Sequence, residues 1–139
     1  MKMRLWHTAL IKALPTMHLQ AQWRELSAIA GSIQLKGTPN HVLVNFVLDY
    51  DFNHLISYAY YIRQELTNRN VRTMNSVWDK ITSLNPTYSI LPLEEVYPDK
   101  MDNLYLKICY YNLLEKYICG MFDDMSMIDD IVKSMVKLV

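Results

Sequence analysis

The chain has 139 residues, of which 51% are hydrophobic, so it is long and apolar enough to bury a core and is not a disordered chain. Only three glycines and five prolines are present, which excludes low-complexity and collagen-like proteins. Basic and acidic residues number 14 each, but they are unevenly placed. Residues 1–80 carry nine basic and five acidic residues, a net charge of +4, whereas residues 81–139 carry five and nine, a net charge of −4. The first half is therefore predicted to offer a basic face to a polyanion.

No apolar run approaches the roughly 20 residues that span a bilayer. The basic first residues are not followed by the apolar stretch and cleavage site of a signal peptide. We therefore expect a soluble, intracellular protein without a membrane contact. Cys109 and Cys119 lie on one predicted helix about 15 Å apart, too far for a disulfide, and are expected to be buried free thiols. Neither belongs to a CxxC pair, and the four histidines are scattered, so no metal site is predicted.

The first long helix is predicted to begin at Pro15, because proline suits the first turn of a helix. Gly31 and Gly37 mark its end and the loop that follows. Its apolar stripe has the three- and four-residue steps of an amphipathic helix and comprises Leu19, Trp23, Leu26, Ile29 or Ala30, and Ile33.

Three shorter helices are predicted next. Thr38 and Pro39 look like the cap and first residue of a short helix that continues through Val42, Phe46 and Val47. Asp51 is a plausible cap for a second helix, which ends near residues 68–70. A third covers residues 74–84 and bears Trp78.

Residues 85–98 contain three prolines and are predicted to form a loop. A long helix is expected from about Asp99 to Cys119, stopped by Gly120. A last amphipathic helix covers residues 123–138. Its predicted apolar stripe is Met127, Ile128, Ile131, Met135 and Leu138. The whole chain, residues 1–139, is therefore predicted to be a single compact, all-α, multi-helix domain.

The first long helix also carries a polar stripe. His18, Gln22 and Glu25 are spaced i, i+4 and i+7, and Glu25 is the sole acidic residue among the first 48. An imidazole, an amide and a carboxylate on one face of a helix can line a site. The same spacing also fits an ordinary helix surface, and the spacing by itself leaves both interpretations open.

One string in this helix resembles a known family. Residues 18–26, HLQAQWREL, are similar to the catalytic helix of the pyrimidine-dimer DNA glycosylases of the bacteriophage endonuclease V type. The opening MRLWH at residues 3–7, the pair Leu14-Pro15 and the string NHV at residues 40–42 also look like bacterial relatives of that enzyme. The resemblance extends over residues 3–70.

The resemblance implies a DNA repair enzyme that removes the 5′ base of a cyclobutane pyrimidine dimer and then nicks the strand. In this family the α-amine of the first residue attacks the sugar C1′, an imine forms and β-elimination follows, without a cofactor. The family's first residue matches Met3, and its catalytic glutamate and the arginine before it match Glu25 and Arg24. Its arginine beside the N-terminus matches Arg4, and a histidine near the DNA matches His18.

Gln22, Lys12 and Lys107 complete the predicted DNA-binding set. The expected partner is damaged double-stranded DNA, the expected state is a monomer, and no metal or small-molecule cofactor is expected.

The chain departs from the family pattern at three places. It begins two residues before the position that matches the family's nucleophile, so Met3 is expected to be the effective start, or Met1 and Lys2 to be accommodated, or Lys2 to substitute. Ala28 stands where the phage enzyme has a further arginine, and the C-terminal segment is acidic. Two alternatives follow from these departures: an inactive DNA- or protein-binding module of the same fold, and a lyase for other damaged bases or abasic sites.

Overall fold

A computed structural model of the protein describes residues 3–138, and its longest helix, α1, spans Thr16–Lys36. Gly37 ends α1 with a left-handed backbone at φ 76°, a conformation that glycine adopts without strain. The expectation that Gly31 also marks the helix end is wrong, because Gly31 lies within α1. A Cβ atom at this position would lie 2.9 Å from the end of the Lys80 side chain, so the glycine makes room for that lysine.

The short helix expected after Pro39 forms only in part. Residues 42–44 make a turn, and a 3₁₀-helix follows at Asn45–Asp49. Val47 is buried as expected, but Val42 is 86% exposed and does not belong to the apolar face. The side chain of Asn45 accepts a hydrogen bond from the His41 backbone N–H at 3.0 Å, and this local bond favours a turn over a regular helix.

The predicted helices on either side of residue 70 are confirmed. Helix α2 spans Phe52–Asn68, and its cap, Asp51, accepts a hydrogen bond from the backbone N–H of Asn53 at 2.8 Å. Helix α3 spans Asn75–Thr82 and carries Trp78. Helices α1, α2 and α3 pack against one another and form one side of the core.

Helix α4 spans Asn103–Ile118, and its cap, Asp102, accepts from the backbone N–H of Tyr105 at 2.8 Å. It begins after, rather than at, the predicted residue 99, because the chain is still turning through residues 97–102. Gly120 has a φ of 83° and lies just beyond the helix end, as predicted. On α4 Cys109 is buried, whereas the expectation that Cys119 is buried is wrong, since this thiol is exposed.

Helix α5 spans Ser126–Met135 and packs on α4, but its buried face differs from the predicted one. Ile128 is buried as expected, and Val132 replaces Met127 and Met135 as the residue that enters the core. The two methionines are 57% and 46% exposed, respectively. A flexible methionine side chain tolerates solvent, so an apolar residue type at this spacing did not by itself identify the buried face.

The N-terminal segment, residues 3–14, runs between these helices rather than over the surface. Leu5, Leu10 and Leu14 are at most 1% exposed. The hydroxyl of Tyr58 on α2 donates to the Trp6 carbonyl at 2.6 Å, and the hydroxyl of Tyr105 on α4 donates to the Leu5 carbonyl at 2.5 Å. The described chain is all-α, as predicted, with two further 3₁₀-helices at Thr8–Leu10 and Leu93–Glu95 and no strand within residues 3–138.

Candidate active site

A cavity of about 420 Å³ opens between α1, α4 and the N-terminal segment. Helix α1 lines it with much of the predicted polar stripe, and α4 forms the facing wall. Charged and polar residues from all three elements surround this space: Arg4, His18, Arg24, Glu25, Asn112, Glu115 and Lys116. The cavity is therefore a basic cleft with two carboxylates, one of which lies at the position predicted to be catalytic.

Gln22 lies directly behind this cavity and is completely buried. Its side-chain oxygen accepts from the backbone N–H of Trp6 at 2.9 Å and lies 2.8 Å from the hydroxyl of Tyr58, whose one proton is shared between this oxygen and the Trp6 carbonyl. Its amide nitrogen donates to the carbonyl of Arg4 at 2.9 Å and to Oε1 of Glu25 at 3.0 Å. All the hydrogen-bonding capacity of the amide is thus used, which fixes its orientation.

This amide brings the beginning of the described chain close to the carboxylate of Glu25. Since one nitrogen of Gln22 contacts both the Arg4 carbonyl oxygen and the Glu25 carboxylate oxygen, these two oxygens are no more than about 6 Å apart. The early acidic residue and the start of the predicted family motif therefore share one pocket.

The carboxyl of Glu25 is half-buried, and burial raises its pKa above the ordinary value. The hydrogen bond from Gln22 opposes this rise by stabilising the ionised form, as do the nearby positive charges of Arg24 and Lys116 and the electrostatic effect of His41. A carboxyl in a cleft whose pKa is shifted by burial is a candidate general acid or base.

Met3 approaches the same region through His41. The backbone nitrogen of Met3 donates to Nε2 of His41 at 3.2 Å. Because His41 also acts electrostatically on Glu25, the Met3 nitrogen, the imidazole and the carboxyl are neighbours. Met1 and Lys2, whose accommodation is part of the prediction, lie outside the described residues.

Arg4 is held at the cavity by α4. Its positive charge acts on both the hydroxyl of Tyr105 and the buried thiol of Cys109. Burial nevertheless raises the pKa of Tyr105, so the hydroxyl stays protonated and continues to donate to the Leu5 carbonyl. Arg4 thus lies close to a tyrosine 101 residues further along the chain, which sequence spacing does not reveal.

His18 lines the cavity with an imidazole that is only 7% exposed. Its ring makes edge contacts with Trp6 and Phe122, and its Nδ1 atom has no hydrogen-bond partner among the described residues. Burial and the nearby charge of Lys116 lower its pKa, which favours the neutral ring. A buried polar atom without a partner is unfavourable, so this nitrogen is a candidate contact for a bound molecule.

Three residues of the predicted DNA-binding set do not line this cavity, and one of them, Gln22, is completely buried behind it. Lys12 is exposed and lines a separate depression beside Arg69 and Phe122. Lys107 is half-buried on α4 and is not among the residues that line the cavity. Lys116, nine positions later on the same helix, lines it instead. The sequence alone does not show which of the two lysines faces the cavity.

His41 and Tyr58 were not assigned to the site from the sequence. His41 stands in the string NHV, which carries part of the resemblance, and this string is its one signal in the sequence. Within residues 3–138, no group of three His, Cys, Asp or Glu side chains is arranged to hold a metal ion, and none of the helices is long and apolar enough to cross a membrane.

Comparison with protein families shows to which family the chain belongs. The family model described as pyrimidine dimer DNA glycosylase matches residues 3–79, more than half of the chain. The matched region contains the N-terminal segment, α1, His41, α2 and most of α3, and it ends before α4. Neither the comparison with curated proteins nor the comparison with solved structures gave a match. From the extent of the family match, and from the site at which the matched residues converge, the chain belongs to the pyrimidine dimer DNA glycosylase family, a family that acts on DNA.

Proposed function

We propose that the protein excises the 5′ base of cyclobutane pyrimidine dimers through an imine with its N-terminal amine and then nicks the strand by β-elimination. The observation that carries this proposal is the bridge through Gln22, which joins the N-terminal segment to Glu25 at the edge of an open basic cavity. An enzyme of this kind needs a terminal amine and a carboxylate side by side, next to space for a sugar.

The proposed nucleophile is the α-amine of Met3 in a chain that starts at this residue. An α-amine has a reference pKa of about 7.7–8.0, compared with about 10.4 for lysine, so much more of it is neutral at pH 7. A peptide nitrogen is not a nucleophile, and the full-length chain would therefore need another amine, such as that of Lys2, or removal of residues 1 and 2. Because reaction geometry tolerates little displacement, the position of the amine is expected to be decisive.

In the glycosylase step, the amine nitrogen bonds to C1′ while the bond from C1′ to the pyrimidine nitrogen breaks, and the base leaves with that electron pair. Loss of the nitrogen's proton and opening of the sugar then give the imine. Glu25 is the group proposed to stabilise the positive charge that develops on the sugar and the imine. For the lyase step, removal of a proton from C2′ expels the phosphate at C3′, and Glu25 is the proposed proton acceptor.

Arg4, Arg24 and Lys116 are proposed to hold the phosphates on either side of the lesion. Arginine side chains form forked hydrogen bonds with phosphate, and all three residues line the cavity. The lesion itself lowers the cost of access, because a dimer stacks poorly and is easier to extrude from the duplex. Met121 and Trp6 give the same cavity an apolar portion for an extruded base.

Reduction with borohydride tests the proposal, because it converts an imine between protein and DNA into a stable covalent bond. Duplexes with and without a single dimer would be incubated with the chain that starts at Met3 and, separately, with the chain that starts at Met1. We expect an adduct from the Met3 chain with the damaged duplex and none with the undamaged duplex. Absence of an adduct from both chains would refute the assignment.

A further inference from the structure

We propose that Met121 acts as an apolar wedge, which enters the duplex at the lesion and occupies the space that the extruded pyrimidine leaves in the base stack. The inference rests on the function proposed above, because it concerns how the lesion is held open for that reaction. It is carried by the position of an exposed methionine on a fixed turn at the edge of the basic cavity.

The backbone of Met121 is fixed by the end of α4. Gly120 has a left-handed backbone at φ 83°, a conformation that glycine adopts without strain. The N–H of Gly120 donates to the Tyr117 carbonyl at 3.0 Å, and the N–H of Met121 donates to the Lys116 carbonyl at 3.0 Å. These two hydrogen bonds form the Schellman motif that ends many helices, so Met121 leaves α4 in a defined direction.

The residue after Met121 anchors the turn to the rest of the molecule. The ring of Phe122 makes an edge contact with His18 on α1, with 5.5 Å between the ring centroids. The same ring makes a tilted contact with Tyr117 on α4, with 5.8 Å between the centroids. The turn that presents Met121 is therefore held by two helices, which gives its side chain a firm base from which to enter a stacked duplex.

The side chain of Met121 borders both the cavity and the solvent. The residue is 46% exposed, although it also lines the cavity. An exposed apolar side chain gains free energy when it is buried between bases, and methionine is one of the residues that proteins insert between base steps. From this border the side chain can contact the extruded base on one side and the bases that stay stacked on the other.

The charges around Met121 favour DNA as the occupant of this surface. The cavity beside it is the basic cleft described above, in which cations outnumber carboxylates, and cations attract the phosphate backbone. The two carboxylates that follow in the sequence, Asp123 and Asp124, line the separate depression beside Lys12 and Arg69 instead. An approaching duplex therefore meets positive charge on the side of Met121 that faces the cavity.

An inserted side chain lowers the cost of holding a base outside the helix. Extrusion leaves a space between the neighbouring bases, and these bases lose their stacking contacts. Met121 would fill this space and replace the lost contacts with dispersion contacts of its own. Such a wedge is needed for a dimer, whose base must leave the stack, but not for an abasic site, which has no base to extrude.

Single-turnover trapping on two duplexes tests this inference. The chain starting at Met3 would carry Met121→Ala or Met121→Leu, and each variant would be assayed on a duplex with one dimer and on a duplex with one abasic site. We expect Met121→Ala to be about tenfold slower than the parent on the dimer duplex, with a much smaller effect on the abasic duplex. Met121→Leu, which keeps a large apolar side chain, is expected to retain most of the rate on the dimer.

Fluorescence gives a readout that does not depend on catalysis. A fluorescent adenine analogue placed beside the dimer becomes brighter when its neighbour leaves the stack. The measurement uses chains that also carry Glu25→Gln, so that the strand stays intact, at a protein concentration that saturates the duplex. We expect Met121→Ala to lose most of the increase in fluorescence and Met121→Leu to keep it.

Met135→Ala is the matched control. Met135 is exposed to the same extent, 46%, but it lies on α5 and does not line the cavity. Its substitution is expected to leave both rates and the fluorescence unchanged. Met17 is 49% exposed and does line the cavity, but its backbone lies within α1 rather than on a turn, so Met17→Ala is expected to have a smaller effect than Met121→Ala. Circular dichroism would identify a variant that fails to fold.

The outcomes separate the two proposals. If the parent chain is trapped on the dimer duplex, then an unchanged rate in Met121→Ala, or an equal loss on both duplexes, would overturn the wedge and leave the proposed function intact. A larger loss in Met17→Ala than in Met121→Ala would also overturn it. No trapping of the parent chain would instead refute the proposed function, while the fluorescence would still decide whether Met121 holds the stack open.

Discussion

The amide nitrogen of Gln22 lies 3.0 Å from Oε1 of Glu25, one turn further along the same helix. Adjacent turns of a helix bring such side chains together. What distinguishes this pair is that the same nitrogen also lies 2.9 Å from the Arg4 carbonyl, so a contact within α1 also fixes the N-terminal segment. Glu25 is therefore positioned against the start of the chain by a residue that does not itself line the cavity.

Replacing Gln22 with Glu is expected to weaken both the site and the fold. A carboxylate can still accept from Trp6 and Tyr58, but it cannot donate to Arg4 or Glu25. Loss of the two donors is expected to lower the free energy of unfolding by about 1–3 kcal/mol, as measured by urea denaturation. The added negative charge raises the pKa of Glu25 further, so the pH profile of trapping should move to higher pH.

Gln64→Glu provides the control for this substitution, since Gln64 is an exposed residue on α2, away from the cavity. The same change in charge there is expected to leave both the stability and the pH profile within error of the parent chain. If Gln22→Glu also left the stability and the pH profile unchanged, the hydrogen bonds from Gln22 to Arg4 and Glu25 would not contribute to function.

Replacing Glu25 with Gln is expected to reduce the rate of trapping by about 10²–10⁴-fold while DNA binding persists, because the variant keeps the shape of the side chain and loses its charge and its proton transfer. Single-turnover trapping and a gel-shift titration measure the two quantities. Glu94→Gln, at an exposed position of the 3₁₀-helix Leu93–Glu95, is the control and should leave both unchanged. Undiminished trapping by Glu25→Gln would show that another group performs the proton transfer.

The same variant is expected to be more stable than the parent at neutral pH. Burial raises the pKa of Glu25 in the folded protein above the ordinary value of 4.5, so the folded state favours the protonated carboxyl. The cost of ionisation is absent below pH 4.5 and builds up as the pH rises through the folded pKa. Glu25→Gln avoids this cost. Its melting temperature should exceed that of the parent at about pH 7, and the difference should vanish as the pH falls towards 4.5.

The affinity for duplex DNA is expected to fall with added salt, and the slope should depend on the cavity's cations. Each phosphate contact contributes roughly 0.9 to the slope of log affinity against log salt concentration. Arg24→Gln and Lys116→Gln should therefore each reduce the slope by roughly that amount, as measured by fluorescence anisotropy. Lys133→Gln, at an exposed position of α5, should not change it.

The predicted contacts of Lys12 and Lys107 with DNA stay predictions, and the same salt titration tests them. Because neither lysine lines the cavity, the geometry favours a smaller change in slope for Lys12→Gln and Lys107→Gln than for Lys116→Gln. If either substitution reduced the slope as much as Lys116→Gln does, the bound duplex would extend over the depression beside Arg69 or along the middle of α4.

Replacing Gly31 with Ala is expected to stabilise the protein by up to about 1 kcal/mol, because glycine is unfavourable in the interior of a helix. The new Cβ would lie 2.9 Å from the end of the Lys80 side chain, which is flexible and can move away. This movement sacrifices the hydrogen bond from Lys80 to Ser27. A double-mutant cycle with Lys80→Ala, read by urea denaturation, separates the two effects.

Local signals in the sequence explain why most of the helices were predicted correctly. Asp51 and Gly37 are a cap and a stop whose physics is local, and the structure uses both as expected. Two of the wrong assignments have different causes, a local side-chain hydrogen bond at His41 and the packing of α5 on the core. The turn at His41 replaces a regular helix, and α5 buries Val132 rather than the two methionines, and neither outcome follows from periodicity alone.

In the candidate site, too, neighbours within one helix could be predicted, whereas contacts between distant parts of the chain could not. The polar stripe of α1 was visible because its members are three or four residues apart, and the structure brings His18 and Glu25 to one cavity. The contact between Met3 and His41 joins residues 38 positions apart, and that between Leu5 and Tyr105 joins residues 100 apart. Contacts of this kind depend on how the helices pack, which a single sequence does not specify.

The boundary of the family match runs through the cavity itself. The Gln22 bridge, Glu25 and His41 all precede residue 79, whereas the facing wall, with Asn112 and Lys116, comes from α4 beyond it. The proposed reacting groups and the surface that meets them from across the cleft thus belong to separate stretches of the polypeptide. Substitutions at Asn112 or Lys116 can therefore reshape what enters the cleft without replacing any residue of the Gln22 bridge, so the two walls of the cleft can be varied separately.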